Sequence, residues 1–206
     1  VKYPVYITLL ILVSVCACEE AKIVEPITVN IDQLYTLELP GNLQPGYDMH
    51  DYAGLQYYDT STDFYILGIE DAKSNLGTIK RKRLRLKGYY EFVENTVFSR
   101  ADSTYFLAGQ EFQTSQGVRV RTGDYYVFTR HWGAPHQLFY RIAVYESEDY
   151  FFQIVTWMPF DLYCDRYDWI ERISYSFRLV EPAPSPTEEN GAGDSLLAPA
   201  STDSGS

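Results

Sequence analysis

The stretch "QLFYRIAVYES", residues 137–147, is followed after two residues by "YFFQIVTWM", residues 150–158. Successive side chains of a strand point to opposite faces of its sheet. In the first run Leu138, Tyr140, Ile142 and Val144 share one face, and Phe139, Ala143 and Tyr145 share the other. In the second, Phe152 and Ile154 oppose Phe151, Val155 and Trp157. Neither run has a polar face to give to water. Strands apolar on both sides are covered on both sides, so their sheet lies between two layers. The connection through Glu148 and Asp149 is too short for a crossover, which makes the pair antiparallel.

Other strands are legible outward from this pair. "LYTLELP" (34–40) alternates and stops at Pro-Gly. "AGLQYYD" (53–59) and "FYILGIED" (64–71) flank the turn cluster "TSTD", and "TYFLAGQEFQT" (104–114) and "VRVRTGDYYVFTR" (118–130) flank "SQG". Both pairs read as hairpins. Helices are fewer. Asp71 is a candidate N-cap for a short helix through Leu76. A longer helix is expected from about Ile79 to Phe98, because Leu86, Tyr90, Val93 and Val97 form one apolar stripe. A last helix is expected from near Asp165, with Asp168 as capping-box partner and Ile170, Ile173 and Phe177 facing the core. The expected fold is an α+β three-layer α/β/α sandwich on a mostly antiparallel sheet, in the order βββαββββα.

That order resembles the PsbP-like sandwich, also found in small exported bacterial proteins of the DcrB type. The residues carrying the likeness are "YTLELPGNLQ" (35–44), "DYAGLQYYD" (51–59) before "FYILGIEDAK" (64–73), and "YFFQIVTW" (150–157) before "RISYSF" (172–177). These are packing signatures spread over most of the chain, with no catalytic set among them. The resemblance implies a fold and binding or assembly roles rather than a shared enzyme activity. The basic stretch after residue 79 and the long C-terminal tail are departures from it.

The two ends have characters of their own. Residues 1–18 read "VKYPVYITLLILVSVCAC": Lys2 is a short positive region, and Val5 to Val15 form an apolar run shorter than a membrane span. The segment "VCAC" (15–18) resembles a bacterial lipobox, with Val15 and Ala17 ahead of Cys18. The resemblance implies residues 1–17 as a lipoprotein signal peptide, an acylated Cys18 at the mature N-terminus, and residues 18–26 as a tether. Two or more acyl chains, at about 0.8 kcal/mol per buried methylene, make a stable anchor. The membrane is thus an expected partner, and the cell envelope (outer membrane, periplasmic or surface-facing in a Gram-negative cell) the expected location. Loss of Cys16 and acylation of Cys18 leave Cys164 without a disulfide partner. Acidic flanks disfavour its thiolate, so it is expected to be a buried, inert thiol. Residues 181–206, rich in Pro, Ser, Ala, Gly and acids, are expected to be a disordered tail. The folded domain is then 27–180.

Charge narrows the function classes. Seventeen basic against 28 acidic residues give a net charge of −11, which argues against a general nucleic-acid partner. Six of the basic residues crowd into "KRKRLRLK": Lys80, Arg81, Lys82, Arg83, Arg85 and Lys87. This run is a candidate surface for an anionic membrane or an acidic partner, or a solvated helix face. A second binding idea is an aromatic face of Tyr57, Tyr58, Tyr125, Tyr126, Trp132 and Trp157 for a glycan or peptide. A third, weaker, is a metal-assisted enzyme using His131 and His136 of "HWGAPH", with His50 and the carboxylates of "DMHD" (48–51). No nucleophile elbow or glycine-rich phosphate cradle occurs, and Glu70 and Asp71 are explained as acids at a helix start. The leading expectation is a non-enzymatic, lipid-anchored envelope protein without cofactor, binding or scaffolding a protein or glycan partner.

Overall fold

A computed structural model describes residues 24–76, 85–131 and 134–180. Ten strands run β1 (Pro26–Ile31), β2 (Tyr35–Pro40), β3 (Gln44–Pro45), β4 (Leu55–Asp59), β5 (Phe64–Ala72), β6 (Ser103–Gln113), β7 (Arg119–His131), β8 (Ala134–Glu146), β9 (Tyr150–Pro159) and β10 (Arg178–Leu179). The helices are α1 (Lys73–Leu76), α2 (Leu86–Val97) and α3 (Tyr163–Ser176), the last entered through a 3-10 turn, Phe160–Leu162.

Seven strands form one antiparallel sheet in the order β3-β4-β5-β9-β8-β7-β6. The two-sided strands β8 and β9 stand at its centre, as their alternation requires. A second sheet, β1-β2-β10, lies with α3 over one face. There Tyr35, Leu37 and Leu39 of β2 and Ile170, Ile173 and Phe177 of the α3 segment meet Phe139, Ala143, Tyr145, Phe152 and Ile154. On the opposite face Leu86, Tyr89, Tyr90 and Val93 of α2 meet Tyr125, Val127, Ile142, Val144, Phe151 and Val155. The division of β8 and β9 side chains between the two cores is the one their alternation predicts. The architecture is the expected three-layer α/β/α sandwich.

Several local expectations are corrected. Asp71 does not cap a helix: it lies in β5 opposite Phe151, and its carboxylate accepts the Tyr89 hydroxyl, so pairing with β9 outweighs the local capping signal. Glu70 is likewise a strand residue, opposite Phe152. Helix α2 starts at Leu86, because Arg85 is extended (φ −102°, ψ 169°). Leu86 donates its backbone N–H to Glu146 Oε2 at 3.0 Å, which fixes the helix start at the end of β8 and sets a carboxylate at its positive pole. The rest of the basic run, Lys80, Arg81, Lys82 and Arg83, lies outside the described residues, as do the expected signal peptide, Cys16, Cys18 and the C-terminal tail. Pro26, the last residue assigned to the tether, already pairs with Pro40. Helix α3 begins two residues before Asp165, with Leu162 at its N-cap and no side-chain cap, so Asp168 closes no capping box. Cys164 is exposed rather than buried, because the first turn of α3 directs it away from the Ile170–Ile173 face.

Candidate functional site

Two rows of residues cross the sheet and organise its chemistry. The first, on the α3 face, is polar: Asp124, Arg141 and Thr156 stand side by side on β7, β8 and β9, all buried. Arg141 donates Nε to Asp124 Oδ1 (2.5 Å) and Nη2 to Asp124 Oδ2 (2.7 Å), and Nη2 also reaches the Tyr167 hydroxyl at 3.0 Å. Burial alone pulls the guanidinium toward losing its proton, but the paired carboxylate outweighs it and the net shift is upward. Among the described residues, Arg141 Nη1 and Thr156 Oγ1 are buried without a hydrogen-bond partner. At each of its three positions the row is only 3% exposed. It is an internal strut, closed under Tyr167 of α3, whose ring lies 5.1 Å from the guanidinium.

The second row, on the α2 face, is aromatic. Tyr58, Tyr65, Trp157, Tyr140, Tyr125 and Phe106 are register neighbours across β4, β5, β9, β8, β7 and β6. Tyr65 and Trp157 stack at 5.2 Å and 10°, and Trp157 and Tyr140 at 5.9 Å and 11°. Phe98, just past α2, closes on Tyr125 and Tyr140. This row revises the aromatic face expected from sequence. Tyr57 packs with the α3-side core, Tyr126 meets Phe160 beside α3, and Tyr125 is buried. Trp132 lies outside the described residues. Of that set Tyr58, Trp157 and the buried Tyr125 share the row, and only Tyr58 and Trp157 are partly exposed. Their faces are largely taken by neighbouring rings, which leaves edges rather than the flat platform that sugar stacking uses.

The open part of the molecule is where this row meets the sheet edge. Strand β6 is the last in the order, and Thr104 to Glu111 are exposed without interruption. Tyr105, Phe106 and Leu107 are 58, 64 and 46% exposed, three adjacent large apolar side chains in contact with water. The register shifts between Phe106 and Ala108, so Phe106 and Gly109 fall on the same, α2-facing side. Alpha2 packs chiefly on β7, β8 and β9. Three depressions therefore line up between helix and edge strand. The first, about 510 Å³, is bordered by Arg85, Leu86, Lys87, Glu111, Phe112 and Arg119. The second, about 380 Å³, is bordered by Tyr90, Glu94, Gly109, Glu111, Arg121 and Tyr125. The third, about 420 Å³, is bordered by Glu94, Asn95, Phe98, Thr104, Phe106 and Tyr125.

The trough is shaped by two glycines. Gly109 and Gly123 are opposite each other on β6 and β7. A β-carbon on Gly123 would collide with the Tyr90 hydroxyl, and one on Gly109 would fall 2.9 Å from the Phe106 ring. Their absence lets Tyr90 and Tyr125 share a hydrogen bond of 2.8 Å at the floor. Burial pushes the Tyr90 hydroxyl up to about 12, and burial with the Tyr90 contact and nearby Glu94 raises Tyr125 further. These phenols stay protonated at neutral pH and serve as hydrogen-bond donors, not bases. Arg121 lies over the Tyr90 ring (5.1 Å) and pairs with Glu111; Arg119 pairs with Glu146 at 2.6 Å. Glu146 also takes Lys73 at 3.0 Å, so one carboxylate ties α1, α2 and β7 together.

Of the sequence-predicted residues, Arg85 and Lys87 thus border the trough. His50 is in the β3–β4 connection, where Nδ1 accepts the Tyr52 N–H. His136 is on β8 opposite Thr129, and the backbone of His131 pairs with Ala134. Strands β3 and β8 are four places apart in the sheet, about 19 Å at the usual strand spacing, so His50 does not join the "HWGAPH" pair. No group of three His, Cys, Asp or Glu suited to a metal ion occurs among the described residues. No described helix is long and apolar enough to cross a membrane.

Comparison with known proteins agrees with the fold. The chain is similar to the Ran-binding protein Mog1p of Saccharomyces cerevisiae (TM-score 0.54, 14% identity, covering 77% of this chain and 97% of that one). It is also similar to cyanobacterial PsbP, CyanoP, of Synechocystis sp. PCC 6803 (TM-score 0.55, 10% identity, 80% and 98%). At these identities the likeness defines a PsbP-like fold and no more. No family model and no curated protein sequence matches the chain.

Proposed function

We propose that this chain is a non-enzymatic binding or scaffolding protein of the cell envelope, anchored through acyl chains on Cys18, which uses its PsbP-like domain to hold a protein partner. The observation that carries the binding reading is the asymmetry at β6. A sheet whose central strands are covered on both faces keeps one long edge strand exposed, with three adjacent apolar side chains and a trough behind it. Contiguous apolar exposure beside polar rims marks interaction surfaces. The buried phenols and the buried Arg141–Asp124 row serve packing. Support also comes from Mog1p, in which a similar fold belongs to a protein named for binding another protein. The anchor rests on the likeness of residues 15–18 to a lipobox.

The anchor is tested by intact-mass spectrometry of the chain recovered from bacterial membranes. The expected species begins at Cys18 and carries the mass of a diacylglyceryl thioether; Cys18→Ser abolishes both processing and membrane retention. An unacylated wild-type chain in the soluble fraction overturns it.

A further inference from the structure

Resting on the binding reading above, we propose that β6 and the trough beside α2 receive an extended segment of a partner protein, acidic at its N-terminal end and apolar at its C-terminal end, as an added antiparallel strand. Three features point to this occupant.

The first is the edge itself. Natural edge strands are blunted by lysine, proline, short length or cover. Strand β6 is eleven residues long with neither lysine nor proline, and its exposure is continuous from Thr104 to Glu111. Its N–H and C=O groups on the side away from β7, unpaired among the described residues, are a template for another strand, a mode in which backbone bonds give affinity and alternate side chains give specificity.

The second is the polarity of the trough along β6. Next to the C-terminal half of the strand are Arg85, Lys87, Arg119 and Arg121. Next to the N-terminal half are Phe98, Phe106 and Tyr125. An antiparallel segment places its N-terminal side chains among the cations and its C-terminal ones over the rings. Arg121 and Arg119 hold Glu111 and Glu146, and Lys87 is 3.9 Å from Glu91. The Arg121–Glu111 and Lys87–Glu91 pairs, open to water, contribute at most about 1 kcal/mol each and exchange readily for a better-placed carboxylate, whereas Glu146, only 9% exposed, keeps its hold on Arg119.

The third concerns a second copy. Two β6 strands paired over their full length about a two-fold at Ala108 would set Tyr105, Phe106 and Leu107 of one against Glu111, Gln110 and Gly109 of the other. With a net charge of −11 on each chain, self-association is also opposed by repulsion. The pattern fits a different sequence.

The probe is a synthetic acetylated and amidated peptide, Glu-Thr-Glu-Thr-Val-Thr-Val-Thr-Phe, with a control in which both Glu are Lys. Titration into uniformly ¹⁵N-labelled chain spanning residue 18 to the C-terminus, with Cys18→Ser for solubility, is followed by amide shifts and hydrogen exchange. The expected result is shift changes confined to Thr104–Gln113 and the trough, at least about tenfold slower exchange in β6, and at least about tenfold weaker binding of the lysine control, equivalent to about 1.4 kcal/mol. Reversing Arg85→Glu with Lys87→Glu is expected to invert the preference of the two peptides, which a loss of folding cannot do. Equal binding of both peptides, or none, overturns the proposal. Shifts confined to another surface overturn the site while leaving the binding reading standing, and the acylation result is independent of either. Protection, in the peptide-free chain, of the β6 amides that point away from β7 also overturns the assigned occupant, in favour of a second copy if it grows with protein concentration and of the chain itself if it does not.

Discussion

The two faces of the central sheet are both lined with aromatic residues and are used differently. On the α3 face, Phe177 is fully buried, stacked on Tyr145 at 4.0 Å and Tyr35 at 5.1 Å, with Phe152 at 5.3 Å. A helix, a small sheet and a buried ion pair all cover that side, and the Tyr145 hydroxyl is bonded to the Ser174 carbonyl at 2.8 Å. The α2 face has one helix of twelve residues across the middle strands, about 18 Å long at 1.5 Å per residue. Its aromatic row runs on beyond the helix in both directions, to half-buried Tyr58 on one flank and exposed Phe106 on the other. One face holds the fold together, and the other leaves a margin that a partner can use.

The contrast has a large consequence for stability. Phe177→Ala is expected to cost about 3–5 kcal/mol, as truncation of a buried aromatic does, and to lower the urea midpoint accordingly. Phe106 is the counterpart on the open flank. With most of its surface in water already, Phe106→Ser is expected to change stability by less than about 1 kcal/mol while weakening peptide capture. A loss at Phe106 equal to that at Phe177 would mean that the flank is part of the core.

A smaller effect separates the faces by pH. Glu70 is half-buried at the α3-side corner, where its Oε1 accepts the Tyr35 hydroxyl at 2.7 Å. Burial raises its pKa; the Tyr35 bond opposes this and the Asp32 carboxylate adds to it. A carboxyl raised in the folded state is one that folding prefers protonated. Its stabilising contribution is complete below the ordinary glutamate value of about 4.3 and is lost as pH rises through the raised value. Glu70→Gln, which keeps an acceptor for Tyr35, is therefore expected to gain melting temperature relative to wild type as pH goes from about 4 to about 8, by on the order of a few degrees. A constant difference over that range contradicts the assignment.

The central sheet was readable because a period of two in "QLFYRIAVYES" and "YFFQIVTWM" is a direct statement of burial on both sides. What escaped depends on partners far away in the chain. "PITVN" is exposed through most of β1 and carries no alternation, yet it pairs fully with β2. Asp71 has every local mark of a cap and is held in a strand by β9. Arg85 is extended because Leu86 is fastened to Glu146, sixty positions on. The site escaped for the same reason: that β6 is an edge is a property of strand order, which no window of sequence displays. Two local signals were nonetheless present. Tyr105, Phe106 and Leu107 are consecutive, so a strand containing them carries large apolar side chains on both faces and calls for cover on both, and Gly109 and Gly123 are a pair of glycines inside otherwise well-formed strands.

The account rests on β6 being an accessible margin of a rigid sheet, and native-state hydrogen exchange of the unliganded, monomeric chain reads this directly. Amides of β8 and β9 are expected to exchange only through global unfolding, while those of Thr104–Glu111 include a set that exchanges through small local openings, several-fold to orders of magnitude faster. Uniform protection of β6 at the level of β8 in the monomer would contradict it.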